Sequence, residues 1–287
     1  RQDLPASITV RSRDTLPTGG YEEKEYQQAY QKVAKDNSGF CATARVETEK
    51  GSVFIVEDKY MLLKDGVFGL HREVKVEKAQ AEDAGFASSV SFRAGLGSPE
   101  SSDYEYFIPS VLYRNTSEVR KDAVAADLDV DRMYVKETRS GLPLAMLREK
   151  GTGNTLTLMH YKPRIDVGQN PGGGAWNEVN YDLQYGSIGY SIQPSLSVDF
   201  HYPCAEGPRT YEYGSGNRNA GPVWLKRYHA VREGNVHRYS VALIPDKKTD
   251  YNEAMIYAFS TAYAVEEPEI MKMDMDKIYC QNMELFK

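Results

Sequence analysis

The chain has 287 residues, enough for one large all-β domain or two ordinary ones, and either size buries a substantial core. Its net charge is −6 with no basic run longer than two residues, which argues against nucleic acid and anionic membrane surfaces as partners. No segment approaches the roughly 20 apolar residues of a membrane span. The three cysteines, Cys41, Cys204 and Cys280, are scattered without metal-ligand spacing, which leaves one disulfide or three free thiols open.

In chain order, residues 1–20 are polar and irregular. Residues 21–35 place Tyr26, Tyr30 and Val33 in an apolar stripe behind an acidic first turn, which predicts a short helix in an N-terminal arm spanning 1–50. From Ser52 the period becomes two. Strands are predicted at 53–63, 67–76, 87–94, 107–113, 133–138, 144–147, 155–161, 187–193, 195–202, 223–231 and 236–244. Lys64-Asp-Gly66 and Glu149-Lys-Gly-Thr-Gly153 read as turns, and Arg232-Glu-Gly-Asn235 joins the last two strands into the clearest hairpin. About eleven strands with almost no helix between them predict a large two-sheet antiparallel β-sandwich over 51–245. Long loops at 95–105 and 164–186 interrupt it, and loops of such length carry function or stay disordered.

The exit, 246–287, changes character. Asp250 is an N-cap for a helix over 250–263 with Tyr251, Met255, Ala258 and Ala262 on one stripe. A Glu/Pro-rich spacer and the opening of a second helix follow, whose Ile278, Met283 and Phe286 call for an apolar partner. The chain opens at Arg1 rather than at an initiator Met, from which we expect export after removal of a leader.

Chemistry is sparse. His160 shares a strand face with Leu156 and Leu158, whereas His201 lies on a polar face with Ser197 and Asp199. Two strand-borne histidines and a carboxylate are the acid–base equipment of an aldose epimerase, and equally the sort of histidines that satisfy a structural role. Asp127, Asp129 and Asp131 alternate onto one face but lack the Gly and distal Glu of a calcium loop. No metal, nucleotide or nucleophile-elbow motif occurs, and no cofactor is implied. The densest polar–aromatic stretch is the loop around Trp176, Asn177, Glu178, Tyr181 and Tyr185. Aromatic faces beside amides and carboxylates suit carbohydrate; a long loop pinned by one buried Trp has the same composition. With 21 Tyr against 9 Phe, the chain favours surfaces that are apolar and hydroxylated together, whether sheet faces or sugar clefts.

Three phrases, Tyr106-Phe-Ile-Pro-Ser-Val-Leu-Tyr-Arg-Asn115, Gly141-Leu-Pro-Leu-Ala-Met-Leu147 and Leu183-Gln-Tyr-Gly-Ser-Ile-Gly-Tyr190, together with the helix–spacer–helix exit, carry a resemblance. They resemble the N-terminal galactose-mutarotase-like β-super-sandwich region of exported Bacteroidetes proteins related to six-hairpin glycosidases, over roughly residues 52–287. The resemblance implies a non-catalytic module of a glycoside hydrolase-like protein. Such a module packs against a following helical (α/α)6 toroid, which holds the catalytic carboxylates, and lends a loop to the glycan cleft. The alternatives are a mutarotase-type aldose epimerase using His160 and His201, and a structural or protein-interaction domain.

Overall fold

The computed structural model describes residues 6–12, 22–64, 66–94, 103–114, 132–162, 185–191, 195–206, 225–268 and 274–285. Eighteen strands lie among them. They are β1 (Ala6–Ser12), β2 (Glu23–Gln28), β3 (Lys32–Lys35), β4 (Gly39–Glu47), β5 (Val53–Lys64) and β6 (Val67–Lys78). Then come β7 (Asp83–Arg93), β8 (Tyr104–Ile108), β9 (Leu112–Arg114), β10 (Arg132–Lys136), β11 (Leu144–Glu149) and β12 (Asn154–His160). The last six are β13 (Ser187–Ser191), β14 (Ser197–Tyr202), β15 (Ala205–Glu206), β16 (Leu225–Lys226), β17 (His229–Ala230) and β18 (Val236–Lys247). Helices α1 (Tyr251–Glu266) and α2 (Met275–Leu285) close the described chain.

Sixteen of the strands form two antiparallel sheets facing each other, which is the mainly β sandwich that the period-two pattern predicts; β15 and β16 pair only with each other. Sheet A runs β10-β13-β14-β7-β1-β2, with β17 also beside β7; sheet B runs β3-β4-β5-β6-β18-β12-β11-β8-β9. Alternation decides what lies between them. On β14, Val198, Phe200 and Tyr202 point inward, against Leu158 of β12 and Tyr239 and Val241 of β18. A second cluster unites Ile8 and Val10 of β1 with Phe54, Val56, Val74 and Phe86. Tyr190 crosses the interior: its hydroxyl donates to the Met146 carbonyl at 2.8 Å and accepts the Phe107 N–H at 3.2 Å.

The predicted helix at the exit is present. The Asp250 carboxylate accepts from the N–H groups of Asn252 (2.8 Å) and Glu253 (3.2 Å), satisfying two donors of the first turn. Tyr251, Ala254, Ala258 and Ala262 are buried on the outer face of sheet B, against Met146, Met159, Ala242 and Ile244. The small residues let the helix axis sit close to the sheet. The outer face of sheet B is therefore covered by α1.

Three expectations are corrected. Where a helix is expected over 21–35, the described residues form β2 and β3. Tyr26 sits opposite Ile8 of β1, and Glu23, Glu25 and Gln27 alternate with it. Strand pairing, of β2 along the open side of β1 and of β3 along β4, outweighs the helical spacing of three apolar residues. The segment 1–50 is accordingly no arm: β1 lies between β7 and β2 in sheet A, and β4 pairs with β5 along its whole length in sheet B. The expected hairpin of 223–231 with 236–244 also does not form. Its turn closes, with Asn235 N–H on the Arg232 carbonyl, but it carries the chain from one sheet to the other. β17 pairs with β7 in sheet A, while β18 enters sheet B between β6 and β12. A two-residue period marks strands without naming their partners. No disulfide links any of the three cysteines, so that alternative is not realised.

Candidate functional site

The outward side chains of sheet A build a polar surface. Ser197, Asp199 and His201 of β14 stand opposite Arg93, Ser91 and Ser89 of β7, and opposite Ser191, Gly189 and Ser187 of β13. One strand further out, Tyr134 of β10 pairs with Gly189. A Cβ on Gly189 would lie 1.9 Å from the Met133 carbonyl oxygen, so only glycine permits this approach. The bare position also lets the Tyr134 ring reach over β13. Its hydroxyl donates to Asp199 Oδ2 at 2.9 Å, and Ser191 Oγ donates to the same oxygen at 2.5 Å. Asp199 is only 1% exposed, and its Oδ1 has no hydrogen-bond partner among the described residues. The His201 ring packs 4.1 Å from the Tyr134 ring, centroid to centroid.

Tyr134, Ser191, Ser197 and His201 of this cluster form one wall of a cleft of about 560 Å³, with Asp199 buried behind them. Ser89, Ser91 and Arg93 line it from β7, Thr9 from β1, and Glu23, Glu25 and Gln27 from β2. Pairing of β1 with β7 begins at Ile8–Ser88, and past that point the cleft continues to Tyr30, Tyr60, Leu70 and Arg72. Its walls hold donors, acceptors and aromatic rings but few apolar side chains. That composition matches a polyhydroxylated ligand better than a lipid or an aromatic cofactor.

The deep end rests on a network missed in the sequence. Arg72 donates from Nε to Asp58 Oδ1 at 2.7 Å and from Nη2 to Asp58 Oδ2 at 2.6 Å, a two-pronged pair between side chains that are both almost wholly buried. Nη1 donates to the Ser89 carbonyl at 2.7 Å, which ties sheet B to sheet A. Tyr30 donates to Asp58 Oδ2 and lies 3.2 Å from the Tyr60 hydroxyl. Burial, and then the Asp58 carboxylate, push both phenols above their usual range, so they remain donors. The signal was available: Asp58 and Arg72 both fall in the inward phase of adjacent strands, where a lone charge requires a partner.

The residues predicted from sequence separate. His201 lies on the polar face with Ser197 and Asp199, as expected. His160 faces the interior, its Nδ1 2.6 Å from Glu137 Oε2 and its ring 4.7 Å from the Phe200 ring. Phe200 and His201 are consecutive on β14 and point to opposite sides, so His160 and His201 share no cleft and the two-histidine mechanism is excluded. Trp176, Asn177, Glu178 and Tyr181 lie outside the described residues, as do Asp127, Asp129 and Asp131. Tyr185 is half-buried just before β13, and burial followed by the neighbouring Cys204 thiol raises its pKa. Tyr104 and Tyr106 are buried in the core. No group of three or more metal-ligating side chains occurs among the described residues.

No family model matches the sequence, and no curated protein is significantly similar to it. Among solved structures, the chain is similar to a galactose mutarotase related enzyme from Lactobacillus acidophilus, with 10% identity over 80% of this chain and 77% of that one, at a TM-score of 0.38. It is similar also to a galactose mutarotase-like protein from Lactobacillus casei, with 15% identity over 78% of each chain and a TM-score of 0.38. Likeness at this level carries no argument about the site, and the fold class rests on the sheets themselves.

Proposed function

We propose that this β-sandwich is a carbohydrate-recognition module that holds a glycan in the polar cleft of sheet A. The observation that carries the reading is the wall formed by Tyr134, Ser191, Ser197 and His201. It sets an aromatic ring, hydroxyls and an imidazole on one surface, held from behind by the buried Asp199 carboxylate. A sugar presents C–H faces and hydroxyl edges, and each has a counterpart there. Trp176, Asn177, Glu178, Tyr181 and Tyr185 are proposed as further contacts. The same reading places the module in an exported, glycoside hydrolase-like protein, with the outward residues Ile256, Phe259 and Tyr263 of α1 meeting a following helical (α/α)6 domain.

Calorimetry with a panel of mono- and disaccharides tests the cleft. Tyr134→Phe removes one hydroxyl donor, and about tenfold weaker binding is expected. Asp199→Asn should weaken binding comparably, and Trp176→Ala reports separately on the loop. Unchanged affinity in both cleft variants would refute the assignment.

A second reading is favoured by one feature, the carboxylate of Asp199 and the imidazole of His201 on the same face, about 7 Å apart by strand geometry. Anomer exchange needs a base to take the proton from the anomeric hydroxyl and an acid to protonate the ring oxygen. Exchange spectroscopy on α-D-galactose and α-D-glucose would register that activity, and an uncatalysed rate with both sugars dismisses it.

A further inference from the structure

Strand register continues the cleft onto a second surface. Phe40 of β4 stands opposite Tyr60 of β5, Tyr60 opposite Leu70 of β6, and Leu62 opposite Phe68. Paired residues share a face, so these five side chains lie together. Their phase is the inward one: Phe54, Val56 and Asp58 precede them on β5 and are fully buried between the sheets. Beyond Tyr60 the cover ends, and Phe40, Leu62 and Phe68 are each more than half exposed, with Val33 beside them opposite Ala42. Solvent-facing polar residues would serve the ends of these hairpins equally well for folding, so a strip of exposed rings and leucine marks a contact surface.

The strip is joined to the cleft. Tyr60 and Leu70 line the cleft and are the register neighbours of Phe40, Leu62 and Phe68. It spans roughly 10 Å across three strands. One occupant needs a hydroxyl-matched groove that opens onto a flat apolar platform. We infer that the ligand of the cleft is an oligosaccharide chain rather than a single sugar, with its outer residues stacked on the Phe40–Leu62–Phe68 strip of sheet B. This rests on the carbohydrate reading of the cleft. A second copy of the chain or an apolar peptide would use the strip alone and gain nothing from its junction with the polar groove.

The experiment is calorimetry of the full chain with β-1,4-gluco-, β-1,4-xylo-, β-1,4-manno- and α-1,4-gluco-oligosaccharides of two to six residues. The same titrations are run on a Phe40→Ala/Phe68→Ala variant and on Phe40→Tyr. Both phenylalanines are exposed, so the double variant should melt with the wild type. For one linkage, affinity is expected to rise about tenfold or more from disaccharide to hexasaccharide. The double variant should lose the rise while keeping the disaccharide affinity, and Phe40→Tyr should retain both. Affinity independent of length, or a rise that survives the double substitution, overturns the inference and leaves the cleft standing. No binding of any probe overturns both. Sedimentation that shows a dimer in the wild type but not in the double variant, with glycan affinity unchanged, assigns the strip to self-association instead.

Discussion

Gly189 shows how one missing side chain shapes a surface. The position is glycine because a Cβ would meet the Met133 carbonyl oxygen at 1.9 Å, and the gap it leaves is what Tyr134 crosses to reach Asp199. Gly189→Ala should therefore cost several kcal/mol, well above the usual ~1 kcal/mol of a point change. It should also break the Tyr134–Asp199 hydrogen bond, seen as an altered Tyr134 hydroxyl environment together with a lower unfolding midpoint. A midpoint within a degree or two of wild type contradicts that account. The stacked imidazoles of His229 and His237, with ring centroids 3.6 Å apart, make a different residue-scale prediction. Burial pushes His237 down from the usual 6.5 to about 4. Above pH 6.5 the ring is neutral in folded and unfolded chains alike, and its packing is fully effective. As pH falls from 6.5 towards 4 the unfolded chain takes a proton that the folded one refuses, and about 3 kcal/mol is lost over that window. Denaturant titrations at several pH values should show this slope, and His237→Phe, which keeps a flat ring in the stack, should flatten it.

Among the elements, α1 was the easiest to read and the simplest to test. Asp250 caps two N–H groups of its first turn, so Asp250→Ala should destabilise by about 1 kcal/mol. Equal stability by chemical denaturation would count against the cap. The strands β5, β6 and β12 were equally legible, because apolar residues at every second position have one economical use. What alternation hides is partnership. The Arg232–Asn235 turn looks like any hairpin turn, yet β17 and β18 belong to different sheets. Residues 21–35 carry apolar spacing compatible with a helix, and the open flanks of β1 and β4 decide for strands. Within the candidate site, Ser197, Asp199 and His201 were placed on one face by counting. Tyr134 was not, because its contact with Asp199, two strands away in the sheet order, depends on a glycine in the strand between them. Asp58 and Arg72 were overlooked although their phase among apolar neighbours announces a buried pair.

At the scale of the whole molecule the sandwich has two unlike outer faces. Sheet B is covered on its outer side by α1, whereas sheet A keeps a polar outer side with the cleft. The Arg72 network joins the sheets at the cleft's deep end, so ligand contacts there would be felt by both. Sheet order carries one more consequence. In sheet B the last described strand, β18, is inserted between β6 and β12, and its pairing with both is what makes one sheet out of the halves β3-β4-β5-β6 and β12-β11-β8-β9. A nascent chain on the ribosome would hold two half-sheets with facing open edges until residue 247 had emerged. Such edges are the usual seeds of strand-to-strand aggregation, and in this strand order they cannot be closed before β18 has been made.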